Sequence, residues 1–369
     1  MKGIAGALRR RGERVARRAR DLRRHGAIRS SVPAEGRVAV SYGHDRIPTL
    51  DEPAHGGTVK FQQLEREFPN DPRGFNVLYL GSSNRPPDSS RLIRLARARA
   101  AAIVLNQNGV AYPGWHGPGW ERTNEPLAEL LRAADHVFFQ SAFCKRSSDR
   151  FLGEPNAAWE ILHNPVDTDR FVPRTRPDRP LTLLLGGNQY QRYRFESAVR
   201  AVALLARERN VRMLVSGRLA WHADARLAER EAAELLAEAG IAERVELVGA
   251  FTQREAPALY ARGDILVHTK YNDPCPTVVL EAMASGVPVV YSASGGTPEL
   301  VGDAGVGVST LEDFERDHPP DPEALAGAIL EAAERRDELG AAARQRACAH
   351  FDLRPWIERH RQLFAELSS

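Results

Sequence analysis

Short apolar runs alternate along the chain with longer segments in which apolar residues return every three or four positions. RVAVSYG (37–43), NVLYLGSS (76–83), AAIVLNQN (101–108), HVFFQS (136–141) and AAWEILHN (157–164) read as strands. GTVKFQQLEREF, SSRLIRLARARA, EPLAELLRAA and CKRSSDRFLG lie between them and read as helices. PRTRPDRP (173–180), with three prolines and three arginines, continues neither element and predicts an interdomain linker. The alternation then restarts, with strands at 181–187, 212–217, 244–250, 264–269 and 287–292. Helices are expected near 195–208, 223–239, 253–262 and 276–285, and again from 322 to the C-terminus.

Strand and helix in alternation predict parallel sheets covered on both faces. The fold class expected is α/β, with two doubly wound Rossmann-like domains facing a central cleft, the usual place for a ligand in such folds. The boundaries read as a basic segment 1–30, an N-terminal domain 31–173, a C-terminal domain 174–352 and a last segment 353–369. In that last segment Trp356, Ile357, His360, Leu363 and Phe364 fall at helical spacing and read as a packing stripe; in a fold of this two-domain kind the helix is expected to cross back onto the N-terminal domain.

With 369 residues, 43% hydrophobic and 27% charged, two ordinary cores fit and neither disorder nor a membrane span does. Cys144, Cys275 and Cys348 match no metal or disulfide spacing, and no secretory signal is apparent. A cytosolic protein is expected. The net charge of +3 hides an asymmetry: residues 1–30 hold eleven Lys or Arg against Glu13 and Asp21, a net +9 that leaves −6 for the rest. Ile4, Leu8, Val15 and Leu22 lie within one stripe among these arginines. Such a helix suits the anionic inner face of the plasma membrane; a solvated leader is the other reading. The segment has no aromatic residue to stack bases, which argues against nucleic acid as a partner.

No strand is followed by a G-x-G-x-x-G loop, and no Walker A lysine loop, H-E-x-x-H or G-x-S-x-G occurs. The D-x-D at Asp167–Asp169 is a three-residue match, better explained as a loop leaving a strand. DPCPTVVLEAMASGVPVV (273–290) is more informative. Pro274 and Pro276 set up a helix start, where the free amides near Thr277 and Val278 form an anion site suited to phosphate. Asp273 lies outside the helix start and Glu281 about one turn inside it. A Glu among Val278, Val279, Leu280, Ala282 and Met283 needs a polar partner, and Asp273 has a rival reading as a helix cap.

The stretch from Arg244 to Val308 resembles the donor-binding region of retaining glycosyltransferases of family 4, which have the two-domain GT-B fold. Two acidic residues separated by seven positions, then EAMASGVPVV and GGTPE, carry the likeness. HNPVDTDRFVP (163–173) is similar to the family's domain-junction motif, and GGTVKFQQL (56–64) to its N-terminal glycine loop. The resemblance implies a retaining hexosyltransferase that moves a sugar from a nucleotide-sugar donor to a glycan or lipid-linked acceptor in cell-surface polysaccharide synthesis.

By the same likeness Glu281 meets the ribose diol and Asp273 the donor-sugar hydroxyls. Gly57, Gly187, Asn188 and the stretch Cys275, Pro276, Thr277 and Val278 would hold sugar and diphosphate. Three departures stand out. Asp273 replaces the usual first glutamate; Asn188 occupies the place of a diphosphate-binding arginine, leaving Arg192 and Arg194 jointly as the expected clamp; and Asn108 stands where a histidine is usual, with His116 nearby on the acceptor side. The leaving diphosphate itself would deprotonate the acceptor, so neither a protein nucleophile nor a metal is expected. A catalytically degenerate scaffold is one alternative, for which these departures are the argument; a sugar phosphorylase or epimerase of the same fold is another.

Overall fold

A computed structural model describes residues 20–32, 36–174 and 180–368. The tail up to residue 19 and the centre of the expected linker, 175–179, lie outside the described residues. The N-terminal domain holds helix α1 (20–30), then β1 (Val40–Ser41), α2 (Gly56–Leu64), β2 (Val77–Gly81), α3 (Ser89–Ala98), β3 (Ala102–Gln107), α4 (Pro113–His116), α5 (Trp120–Ala133), β4 (His136–Phe139), α6 (Ala142–Phe151) and β5 (Ala158–Ile161). The C-terminal domain runs β6 (Leu181–Leu185), α7 (Arg192–Leu205), β7 (Val211–Ser216), α8 (Ala225–Glu238), β8 (Val245–Gly249), α9 (Ala256–Tyr260), β9 (Ile265–His268), α10 (Thr277–Ala284), β10 (Val289–Ser292), α11 (Thr297–Val301), β11 (Gly305–Val308), α12 (Pro322–Glu334) and α13 (Arg336–His350). Helix α14 (Leu353–Ser368) follows.

The sheets have strand orders β1-β2-β3-β4-β5 and β11-β10-β9-β6-β7-β8, with every strand pairing parallel. Central strands such as VLYLG and HVFF are buried along their whole length because helices cover both faces, and only edge strand β5 exposes most of its residues. Helix α6 starts at Ser141, whose hydroxyl accepts from the Cys144 amide, and α12 at Asp321, which accepts from the Glu323 and Ala324 amides.

Three elements depart from the sequence reading. The strand expected over 37–43 shrinks to two residues, because the Asn76 side chain takes the Ala39 amide and donates to the Arg37 carbonyl in place of a strand neighbour. β11, written GVGV, lacks the residue types that signal a strand, yet it pairs with β10. Part of the basic segment is docked: α1 buries His25 and Ile28 against the N-terminal domain, and both Arg24 and His25 bond Asp88. Leu22, expected on the apolar stripe, is 56% exposed.

The chain passes between domains at two adjacent places. Val166 donates to the Phe351 carbonyl at 2.8 Å, Leu353 donates to the Val166 carbonyl at 3.0 Å, and Thr168 donates to Asp352. Beyond this junction α14 packs Trp356, Ile357, Leu363 and Phe364 against Tyr42, Phe61 and Tyr79 of the first domain.

Candidate active site

The carboxyl ends of β9 and β10 carry the loops that build the site. After β9 the chain turns through Asn272, at φ +49, and Asp273 before Pro276 starts α10. Gly295 and Gly296 lie directly over this turn. The Gly296 amide donates to the Asp273 carbonyl at 2.8 Å, and a Cβ on Gly296 would fall 1.9 Å from the Pro274 carbonyl oxygen. Both glycines are therefore fixed by a close backbone approach. The opposite wall comes from the first domain: Gly56, at the start of α2, faces the Thr277 hydroxyl, and Gly109 faces the Pro274 ring. Asn164 ties the walls together, its side-chain amide donating to the Cys275 carbonyl at 2.8 Å.

Asp273 is no helix cap, since Pro276 holds that position without a side-chain cap. Its carboxylate meets His268 Nε2 at 3.1 Å and Lys270 Nζ at 3.2 Å. Burial opposes ionisation here, but Lys270, His268 and Arg194 outweigh it and hold the carboxyl well below the usual carboxylate range. His268 is pushed down by its own burial. Glu281 is 2% exposed and its partners belong to the protein: Gln253 Nε2 donates to Oε1 at 2.9 Å and the Tyr260 hydroxyl to Oε2 at 2.8 Å. Burial raises its pKa despite both hydrogen bonds.

The two arginines expected to act together are separated. Arg192 is the exposed first residue of α7, 3.9 Å from Glu196. Arg194 is 3% exposed and its Nη1 donates to the Asn188 carbonyl at 2.5 Å. One side faces solvent and the other the site, because the positions are two apart on a helix. Asn188 has its Oδ1 engaged by the Arg218 amide at 2.9 Å, and Gly187 abuts Val278. Asn108 uses its Oδ1 on the Gly109 amide within its own loop, while the exposed His116 bonds Thr123 at 2.8 Å. Cys275 is buried, and burial pushes its thiol up.

Arg194 Nε, His268 Nδ1, Asn272 Oδ1 and Asp317 Oδ1 are buried without a hydrogen-bond partner among the described residues. Their residues all belong to the surroundings of Asp273. Such atoms occur elsewhere among the described residues too, Arg99 Nε and Trp356 Nε1 for example, but here four of them lie around one buried carboxylate, where water or a polar ligand can complete the bonding. Asp317, from the loop after β11, escaped the sequence reading; burial raises its pKa to about 6, against Tyr193, Lys270 and His318. Lys270 and Arg218 were missed as well. Arg218 had a signal, a guanidinium directly after Gly217, the glycine that follows strand β7.

Residues 166–347 match the family described as Glycosyl transferases group 1. A GDP-mannose-dependent alpha-(1-6)-phosphatidylinositol monomannoside mannosyltransferase from Mycolicibacterium smegmatis is 31% identical over 57% of this chain and 57% of its own. A D-inositol 3-phosphate glycosyltransferase from Streptomyces griseus is 29% identical over 60% of this chain and 53% of its own. The chain thus spans about half the length of these curated relatives. Among solved structures, sucrose-phosphate synthase from Thermosynechococcus elongatus superposes with a TM-score of 0.65 at 20% identity, covering 83% of this chain and 76% of the other. Anabaena HepE in complex with UDP and glucose gives 0.64 at 17% identity over 79% and 78%. These establish the GT-B fold.

Proposed function

We propose that the protein, whose residues 166–347 match the model of glycosyl transferases group 1, transfers a sugar from a nucleotide-sugar donor to an acceptor hydroxyl, with retention of configuration. The observation that carries this reading is the group of unpaired buried polar atoms around Asp273, beside the free amides of Thr277 and Val278. The diphosphate sits on those amides, facing Gly56, while the expected Gly57 turns towards Ser83 and His55 of its own domain. Asp273, kept ionised by Lys270 and His268, takes hydroxyls of the donor sugar. Glu281 meets the ribose after Gln253 gives way, keeping its Tyr260 hydrogen bond. The departing diphosphate takes the acceptor proton, so the scheme calls for no protein nucleophile and no divalent metal, and turnover is expected to survive EDTA. A glycan or lipid-linked acceptor fits the relative named for phosphatidylinositol monomannoside, whereas the relative named for D-inositol 3-phosphate points to a small polyol phosphate instead.

Thermal shift against UDP, GDP, ADP, CDP and their sugar conjugates tests the reading. At a hundred times its dissociation constant a ligand adds about 2.7 kcal/mol, several degrees in Tm. One nucleotide should shift the wild type, and Glu281→Ala should lose both that shift and turnover by orders of magnitude. No shift with any donor would turn the reading towards a degenerate scaffold, and turnover without a separate acceptor towards a phosphorylase or epimerase.

A further inference from the structure

The loop after β6, Gly187–Asn188, is held from two sides. Arg194 Nη1 takes the Asn188 carbonyl, and the Arg218 amide takes the Asn188 side-chain oxygen at 2.9 Å. The two loops touch at backbone level: a Cβ on Gly217, at φ +84, would fall 2.5 Å from the Gly187 carbonyl. Gly187 in turn abuts Val278, at the start of α10. Residue 218 is thus held against the Gly187–Asn188 loop by its own amide and by the close approach of Gly217, while its guanidinium is exposed and forms no hydrogen bond or ion pair among the described residues. The positive field of Arg218 reaches His55, the residue preceding Gly56 on the facing domain, and contributes to lowering its pKa, after burial, Lys60 and His44. Arg194 also leaves its buried Nε unpaired on this wall.

We propose that Arg218 binds the diphosphate of the donor, supplying the guanidinium that the Asn188 position lacks. Asn188 is then a positioning residue that sets the height of the Arg218 backbone, and the charge reaches the cleft from the end of β7 instead of β6. This inference rests on the nucleotide-sugar reading above.

Titration calorimetry on the full chain with UDP, GDP, ADP and CDP, each beside its monophosphate, gives an affinity ratio of diphosphate to monophosphate for the nucleotide that binds. Arg218→Ala should lower that ratio about tenfold or more, the usual strength of a charged hydrogen bond. Adding Asn188→Arg to that variant should restore it. A ratio unchanged in Arg218→Ala overturns the proposal, as does an equal weakening of both nucleotides, which is what a merely structural role would give. If the wild type binds none of the four, the nucleotide-sugar reading falls and this inference with it.

Discussion

Two buried charges decide how individual residues answer to pH. Glu281 is dry, and its pKa is raised by burial. A carboxyl raised on folding binds a proton that the unfolded chain has released, so its contribution is full below about 4.5 and is lost as pH rises through the folded value. Glu281→Gln keeps the shape and removes the charge. Melting curves at pH 4.5 and pH 8 should show the variant gaining over wild type mainly at pH 8, while turnover is lost; an equal gain at both would mean the carboxylate is not strained by burial. Lys60 is the second case, fully buried with Nζ donating to Asn106 Oδ1 at 2.5 Å and a pKa lowered by burial to about 8. Between pH 8 and 10.5 the unfolded chain binds more protons, so stability from this group rises across that window and the penalty, on the order of 3 kcal/mol, is full below it. Lys60→Met should therefore raise the denaturation midpoint at pH 7 and lose most of that gain by pH 10. Asn106 keeps a donor in Gln140. The sequence marked Glu281 as needing a polar partner, but Gln253 and Tyr260 come from other elements, so only the fold identifies them.

At the scale of elements, the apolar runs of the central strands were legible because both faces are buried, and the helix start at Pro276 because proline imposes it. β11 and the docking of α1 were not, since the first depends on a neighbour that accepts glycine-rich backbone and the second on Asp88, far along the chain. Glycines separate packing from propensity cleanly. Gly296→Ala drives a methyl into the Pro274 carbonyl and should lower Tm by several degrees and abolish nucleotide binding. Gly327→Ala, inside α12 with nothing within 4 Å, should raise stability by about 0.5–1 kcal/mol. If both variants melted like wild type, the close approach over the donor loop would be wrong.

For the whole molecule, the two-domain plan and the existence of the C-terminal helix were readable from periodicity, its return to the first domain only from the kind of fold, and the closed cleft from neither. Its mouth is fastened by Arg254 with Asp51 on one side, and on the other by Phe314 against Tyr112 and Phe143 together with Glu299, which accepts from the Ala142 amide at the start of α6. These pairs join residues distant in sequence and leave no local pattern. The docking of α1 also changes how the basic tail is tested. Removing residues 1–30 would strip Ile28 and His25 from the first domain, so the truncation belongs after residue 19. Full chain should pellet with anionic vesicles more strongly than that truncation, with each lost arginine near the headgroups worth about 1 kcal/mol; equal pelleting would sink a membrane role for the tail.

Helix α14 sets the order in which the molecule is finished during synthesis. Tyr42, Phe61 and Tyr79 are made early, but their cover, Trp356 and Phe364, leaves the ribosome only after the whole second domain. At roughly 5–20 residues per second the first domain waits tens of seconds with that face open. The domain translated first is therefore completed last, with an apolar face open in the interval.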